Sequence, residues 1–185
     1  MIKRLDYVDN LFDDDFVARV ATKYHDNLFY YGNVSNNPDD AIFWCSKRLN
    51  DYTHILDCPD QKFIFSKIKE YYKFDVKEKD LDKQHVYING QTYELDGSMH
   101  IDSLHRTTNL NENYTILYMV NYLHEGIKGF ETQMGVVDFV PGRVVIFSSM
   151  MPHRGLSTSV KNNCRMTLTW KSFDLVFDKD SPIML

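Results

Sequence analysis

The chain has 185 residues, with 21 Lys and Arg against 26 Asp and Glu, a net charge of -5, 43% hydrophobic and 25% charged residues. That length and composition suit a single globular domain over 1–185, with a core large enough to need no disulfide staple, and they exclude a disordered chain. The acidic balance and the lack of a dense basic run disfavour nucleic acid as a partner, and no apolar run approaches a bilayer span.

The N-terminal Met1-Ile2-Lys3-Arg4-Leu5-Asp6 is followed by acids rather than an apolar stretch, so no signal peptide is expected. Phe16, Val17, Val20, Tyr24 and Leu28 then recur at threes and fours. This spacing predicts a helix over 13–31, with Asp13 to Asp15 at its N-terminus and Gly32 at its end. A polar loop is expected from Gly32 to Asp40. Phe63, Ile64, Ile68 and Tyr71 mark a second helix from about Pro59 to Tyr72. Cys45, Cys58 and Cys164 are odd in number and lack CxxC spacing, which predicts reduced thiols in a cytoplasm rather than a disulfide framework or a zinc knuckle.

From Gln84 the texture changes to short β-rich segments, expected at 84–93, 98–104, 113–123, 129–133, 136–140, 143–148 and 164–173. Val140-Pro141-Gly142-Arg143 has the order of a type II turn and predicts a hairpin. The expected fold class is α+β: supporting helices in an N-terminal part of about 1–80, then an antiparallel double-stranded β-helix, or jelly roll, over about 84–173.

Within that core lies His100-Ile101-Asp102. On an extended strand residues two apart share a face, so His100 and Asp102 can grip one ion while Ile101 points away. His153 supplies a second imidazole. Two imidazoles and a carboxylate on one face of an octahedron leave three positions open, the ligand set of non-haem Fe(II) oxygenases. An ion so held keeps about one net positive charge, so a dianionic co-substrate needs a further cation. Arg165 is placed to be that cation, since its guanidinium forks onto a carboxylate through two hydrogen bonds, and Thr167 shares its face. Taken alone, Arg165, Thr167, Thr169 and Lys171 alternating with Met166, Leu168 and Trp170 describe only a strand with one wet face, and an isolated His is more often structural. The order HxD, Pro152-His153, then Arg165 and Thr167 is what singles out the site. His25, His54, His85, His105 and His124 are read as structural.

These residues resemble the 2-oxoglutarate and Fe(II)-dependent dioxygenases, in particular their prolyl-4-hydroxylase-like branch. The resemblance runs from about Gln84 to Lys171. It is carried by Tyr87-Ile88-Asn89, Gln91-Thr92-Tyr93, Asp96 to Asp102, Tyr114 to Asn121, Gly129 to Thr132, Pro141 to Phe147, Pro152-His153 and Arg165-Met166-Thr167. It implies a jelly roll with iron held by His100, Asp102 and His153 as the catalytic centre. It further implies 2-oxoglutarate chelating that iron with its far carboxylate on Arg165 and Thr167, and O2 as oxidant with ascorbate stimulating turnover. The implied reaction hydroxylates an unactivated C–H bond, with a peptidyl proline as one target, and releases succinate and CO2. A peptide or small-molecule substrate is expected; oligomeric state is not legible.

Met119 stands where many relatives offer a tyrosine to the co-substrate. Tyr87 is the expected replacement, with Tyr93 second and a purely structural hydroxyl an equal alternative. Phe130 replaces the second glycine of a common pair, and Glu131 is read as structural. The polar loop from Ser103 to Asn113, with Arg106, leaves the metal strand as a specificity loop or a solvated connection. The competing reading is a catalytically silent cupin-like module that binds a metal or ligand and turns nothing over.

Overall fold

In the computed structural model the described residues are 4–25, 30–33, 43–45, 58–76, 86–102, 113–122 and 128–184. Elements follow the order Leu5–Val8 (β1), Asp14–His25 (α1), Tyr30–Asn33 (β2), Phe43–Cys45 (β3), Pro59–Tyr72 (α2), Phe74–Val76 (β4) and Val86–Thr92 (β5). Then come Asn113–Met119 (β6), Lys128–Thr132 (β7), Gly135–Asp138 (β8), Val144–Ser148 (β9), His153–Gly155 (β10) and Cys164–Phe177 (β11), closed by a 3-10 turn at Pro182–Met184.

Asp13 starts α1 by accepting the Phe16 amide at 2.7 Å, a cap worth about 1 kcal/mol. The helix buries Phe16, Val17, Val20 and Tyr24 as the periodicity predicts, but it ends at His25, and Tyr30 is already in a strand. Tyr30 and Tyr31 pair across to Cys45 and Trp44, so sheet partners claim aromatic residues that the helical spacing alone would extend into. Helix α2 has the predicted bounds: Pro59 opens its first turn, where the missing amide costs nothing, and Lys73 closes it in the left-handed region at φ 48.

Two antiparallel sheets carry the rest. The larger has eight strands in the order β1-β9-β6-β11-β5-β3-β2, with β4 paired to the end of β11; the smaller runs β10-β7-β8. One face of the large sheet, with Ile88, Ile116, Tyr118, Ile146, Leu168 and Trp170, packs on the two helices. The opposite face, with Leu117, Met119, Val145 and Phe147, meets Phe130 and Val137 of the small sheet. Strand β6 is buried along all seven residues because it serves both layers.

The turn at Val140 to Arg143 forms, with the Arg143 amide donating to Val140 O at 3.0 Å and Gly142 at φ 80. It does not close a hairpin. β8 pairs with β7, whereas β9 lies between β1 and β6, so the turn carries the chain from one sheet to the other. Arg143 fixes it there by forking onto both oxygens of Asp9 at 2.7 Å. Cys58 and Cys164 are free thiols. Among the described residues no helix is long and apolar enough to cross a membrane. The specificity loop with Arg106 lies outside the described residues at 103–112, as do His54, His85, His105 and His124.

Candidate metal centre

The strand expected at 98–104 is reduced to one bridge: His100 pairs with His153, each amide donating to the other's carbonyl at 2.9 Å. Gly97 N also donates to Gly155 O, and Asp102 N to Ser149 O, both at 2.8 Å. The segment therefore runs along β10 and the turn before it, which brings His100 and His153, 53 residues apart in sequence, side by side.

Their side chains converge. Ligand atoms of His100, Asp102 and His153 all lie within 4.8 Å of one another. His100 Nδ1 is 2.8 Å from Ser98 O, and His153 Nδ1 is 2.8 Å from Met151 O. A carbonyl can only accept, so each Nδ1 carries a proton, and in the neutral ring Nε2 is the nitrogen left with the lone pair a metal would take. Those two Nε2 atoms flank Asp102 at 3.5 Å, one on Oδ1 and one on Oδ2. Burial alone would push the Asp102 carboxyl up; the two imidazoles and the Lys171 ammonium outweigh it and hold the group well below the usual carboxylate range. Phe147 and Phe130 wall His153, with ring centroids 4.6 and 5.4 Å away.

Sequence reasoning singled out neither Thr115 nor Lys171. Thr115 Oγ1 donates to Asp102 Oδ2 at 2.7 Å and sits 3.1 Å from Ser149 Oγ, while Lys171 Nζ is 2.8 Å from Oδ1. Lys171 was visible only as one member of a polar alternation. Thr115 carried no signal, because a Thr in a β-rich run is ordinary.

Arg165 and Thr167 lie on the inner face of β11, 1% and 2% exposed. Arg165 Nη2 donates to Gln91 Oε1, but Nε and Nη1 find no partner among the described residues. Burial pushes the guanidinium pKa down to about 10, partly offset by the charges of Cys164 and Asp96. Buried atoms are rarely left so. Asn89 Oδ1 and Thr169 Oγ1, on the paired strands β5 and β11, are orphaned in the same way. A ligand carboxylate would accept from Arg165 Nε and Nη1 and from the Thr169 hydroxyl, whereas Asn89 Oδ1, itself an acceptor, calls for a donor. Gly155 makes the approach possible, since a Cβ there would collide with Arg165 Nη2 and stand 2.7 Å from Gln91 Nε2. Gly155 is two residues beyond His153 on β10, about 7 Å of strand.

Met119 is fully buried, its sulfur accepting from the Val140 amide at 3.3 Å. The Tyr87 backbone pairs with Thr169, and its side chain lies outside the described residues. Tyr93 sits under Lys161 Nζ at 5.7 Å. Glu131 ion-pairs with Arg154 at 2.5 Å, a structural role.

No family model and no curated protein matches the chain. Solved structures do. An oxidoreductase of the 2OG-Fe(II) oxygenase family from Burkholderia pseudomallei superposes with TM-score 0.61 at 12% identity, covering 96% of this chain and 89% of its own. A Trichoplax adhaerens prolyl hydroxylase, in complex with a hypoxia inducible factor peptide fragment, gives 0.61 at 16%, covering 93% and 84%. The viral collagen prolyl hydroxylase of Paramecium Bursaria Chlorella virus-1, in its 2OG complex, gives 0.56 at 12%, covering 92% and 96%. At these identities the likeness is one of architecture: the chain has the fold of the 2OG-Fe(II) oxygenases and prolyl hydroxylases.

Proposed function

We propose that this protein is a 2-oxoglutarate and Fe(II)-dependent dioxygenase that hydroxylates an unactivated C–H bond and releases succinate and CO2. We read its two facing sheets as a jelly roll within a single domain. The observation that carries the proposal is the pairing of two Nε2-presenting imidazoles and a buried carboxylate with the incompletely satisfied guanidinium of Arg165 on β11, which abuts Gly155, two residues beyond His153 on β10.

The donor set fits Fe(II): His100, Asp102 and His153 would hold it and leave three positions open. Iron with 2-oxoglutarate and O2 supplies the oxidising chemistry; this chain's residues position and shield it. Backbone carbonyls lock both imidazole tautomers, and Thr115 orients the carboxylate, support of the kind that raises ligand quality. Arg165 would take the far carboxylate through Nε and Nη1, with Thr167 donating alongside. Tyr87 remains the proposed hydroxyl that Met119 cannot offer. Phe130, Phe147 and Leu117 keep water from the inner wall.

A peptide substrate with a prolyl target is the finer reading, supported by the peptide bound to the Trichoplax adhaerens neighbour. The test is incubation with Fe(II), ascorbate and 2-oxoglutarate under air, following succinate, then mass spectrometry of candidate peptides for one added oxygen. Slow uncoupled succinate formation is expected without substrate. Bound metal with no succinate at all would replace the enzyme by the cupin-like binding module.

A further inference from the structure

The pairing of β11 with β6 runs from Thr167 to Trp170 and resumes only at Phe173 opposite Tyr114. Lys171 falls inside that irregularity, and bulges of this kind re-aim a side chain. Its side chain is 23% exposed, and the ammonium stands 2.8 Å from Oδ1 of Asp102, whose side chain is 3% exposed. Thr115 holds the other oxygen, Oδ2, at 2.7 Å. The two carboxylate oxygens are therefore unlike. Each has an imidazole Nε2 at 3.5 Å, but Oδ1 also pairs with an ammonium and Oδ2 with a neutral hydroxyl.

A divalent ion arriving at Asp102 meets the repulsion of the Lys171 ammonium on the Oδ1 side and the neutral Thr115 hydroxyl on the Oδ2 side, and an oxygen already shared with an ammonium is the weaker donor. We propose that Lys171 is a positioning residue that confines Asp102 to coordination through one oxygen, Oδ2, and so keeps the third open position of the metal free. With both oxygens bound, the carboxylate takes a fourth place, and the two left are filled by a two-toothed 2-oxo acid alone. Lys171 preserves the vacancy the reaction needs. The inference rests on the metal-centre reading above and adds a residue that reading does not require.

The test uses Mn(II) as the probe with the full chain, without oxygen or co-substrate, and counts its bound waters by water-proton relaxation. Lys171→Met keeps the aliphatic stem; Lys171→Gln serves if the first variant does not fold by circular dichroism. Relaxivity of bound Mn(II) should fall by about one third, from three waters to two. Affinity should tighten by about tenfold as the repulsion goes, and Lys171→Arg should restore both values. Unchanged relaxivity in the folded variant overturns the proposal, whatever the affinity does. Failure of the wild-type protein to bind Mn(II) would instead remove the metal-centre reading itself.

Discussion

Replacing Arg165 by methionine is expected to stabilise the free protein and to abolish its response to 2-oxoglutarate. The guanidinium is 1% exposed, and burial brings its pKa down to about 10. A base with a depressed pKa is charged more reluctantly in the folded than in the unfolded chain, so at neutral pH the charge subtracts from stability. The fall of roughly 2.5 in pKa corresponds to about 3 kcal/mol. Against it stands the hydrogen bond to Gln91, whose net loss costs about 1 kcal/mol. The balance is a gain of about 2 kcal/mol, a rise in Tm of about 4–8 °C for a chain of this size. Urea unfolding followed by tryptophan fluorescence reads it, since Trp170 is fully buried. In the same assay with Mn(II) present, 2-oxoglutarate at a hundred times its Kd should add about 2.7 kcal/mol to the wild type and nothing to the variant. A variant less stable than wild type by 1 kcal/mol or more would refute the reasoning, because it would mean the charge is already compensated in the free protein.

His153→Ala should weaken Mn(II) binding at least about 100-fold by titration, because two ligands hold a labile ion poorly; retained affinity would place the metal elsewhere. Gly155→Ala should destabilise the protein by about 1–3 kcal/mol through overpacking and raise the Kd for 2-oxoglutarate, because the new methyl invades the space of Arg165 and Gln91. Isothermal titration checks the second effect. Asp60 ties α1 to α2, with Lys23 at 2.6 Å and Arg19 at 2.8 Å. Burial pushes its carboxyl up, but the two cations outweigh that and lower its pKa. Its contribution is therefore present above the unfolded value near 4 and lost as pH falls through the lower folded one. Both cations are half-exposed, so Asp60→Asn should cost at most about 1 kcal/mol at pH 7, and the gap should close on acid titration of the two unfolding curves.

Much of this molecule was legible from local pattern. Helix α2, the turn at Gly142 and the run of strands follow from periodicity, capping and turn chemistry, which act between near neighbours in the chain. The candidate ligands His100, Asp102 and His153, whose side chains the structure brings together, were legible because their spacing and order are unusual for chance. What local pattern could not decide was partnership. The aromatic residues after His25 fit a helix or a strand equally, and β3 decides for strand. The turn at Val140 to Arg143 fits a hairpin, but β8 and β9 belong to different sheets. Strands β1, β4 and β10 are three or four residues long, too short to show a period, and exist because neighbouring edges hold them. The groups around Asp102 belong to the same class: Thr115 and Lys171 are ordinary in sequence and reach the carboxylate only because β6 and β11 lie side by side. Sequence by itself determined which atoms can bind and turn; the tertiary structure decided which of them meet, since sheet pairing joins residues whose separation along the chain carries no information about contact.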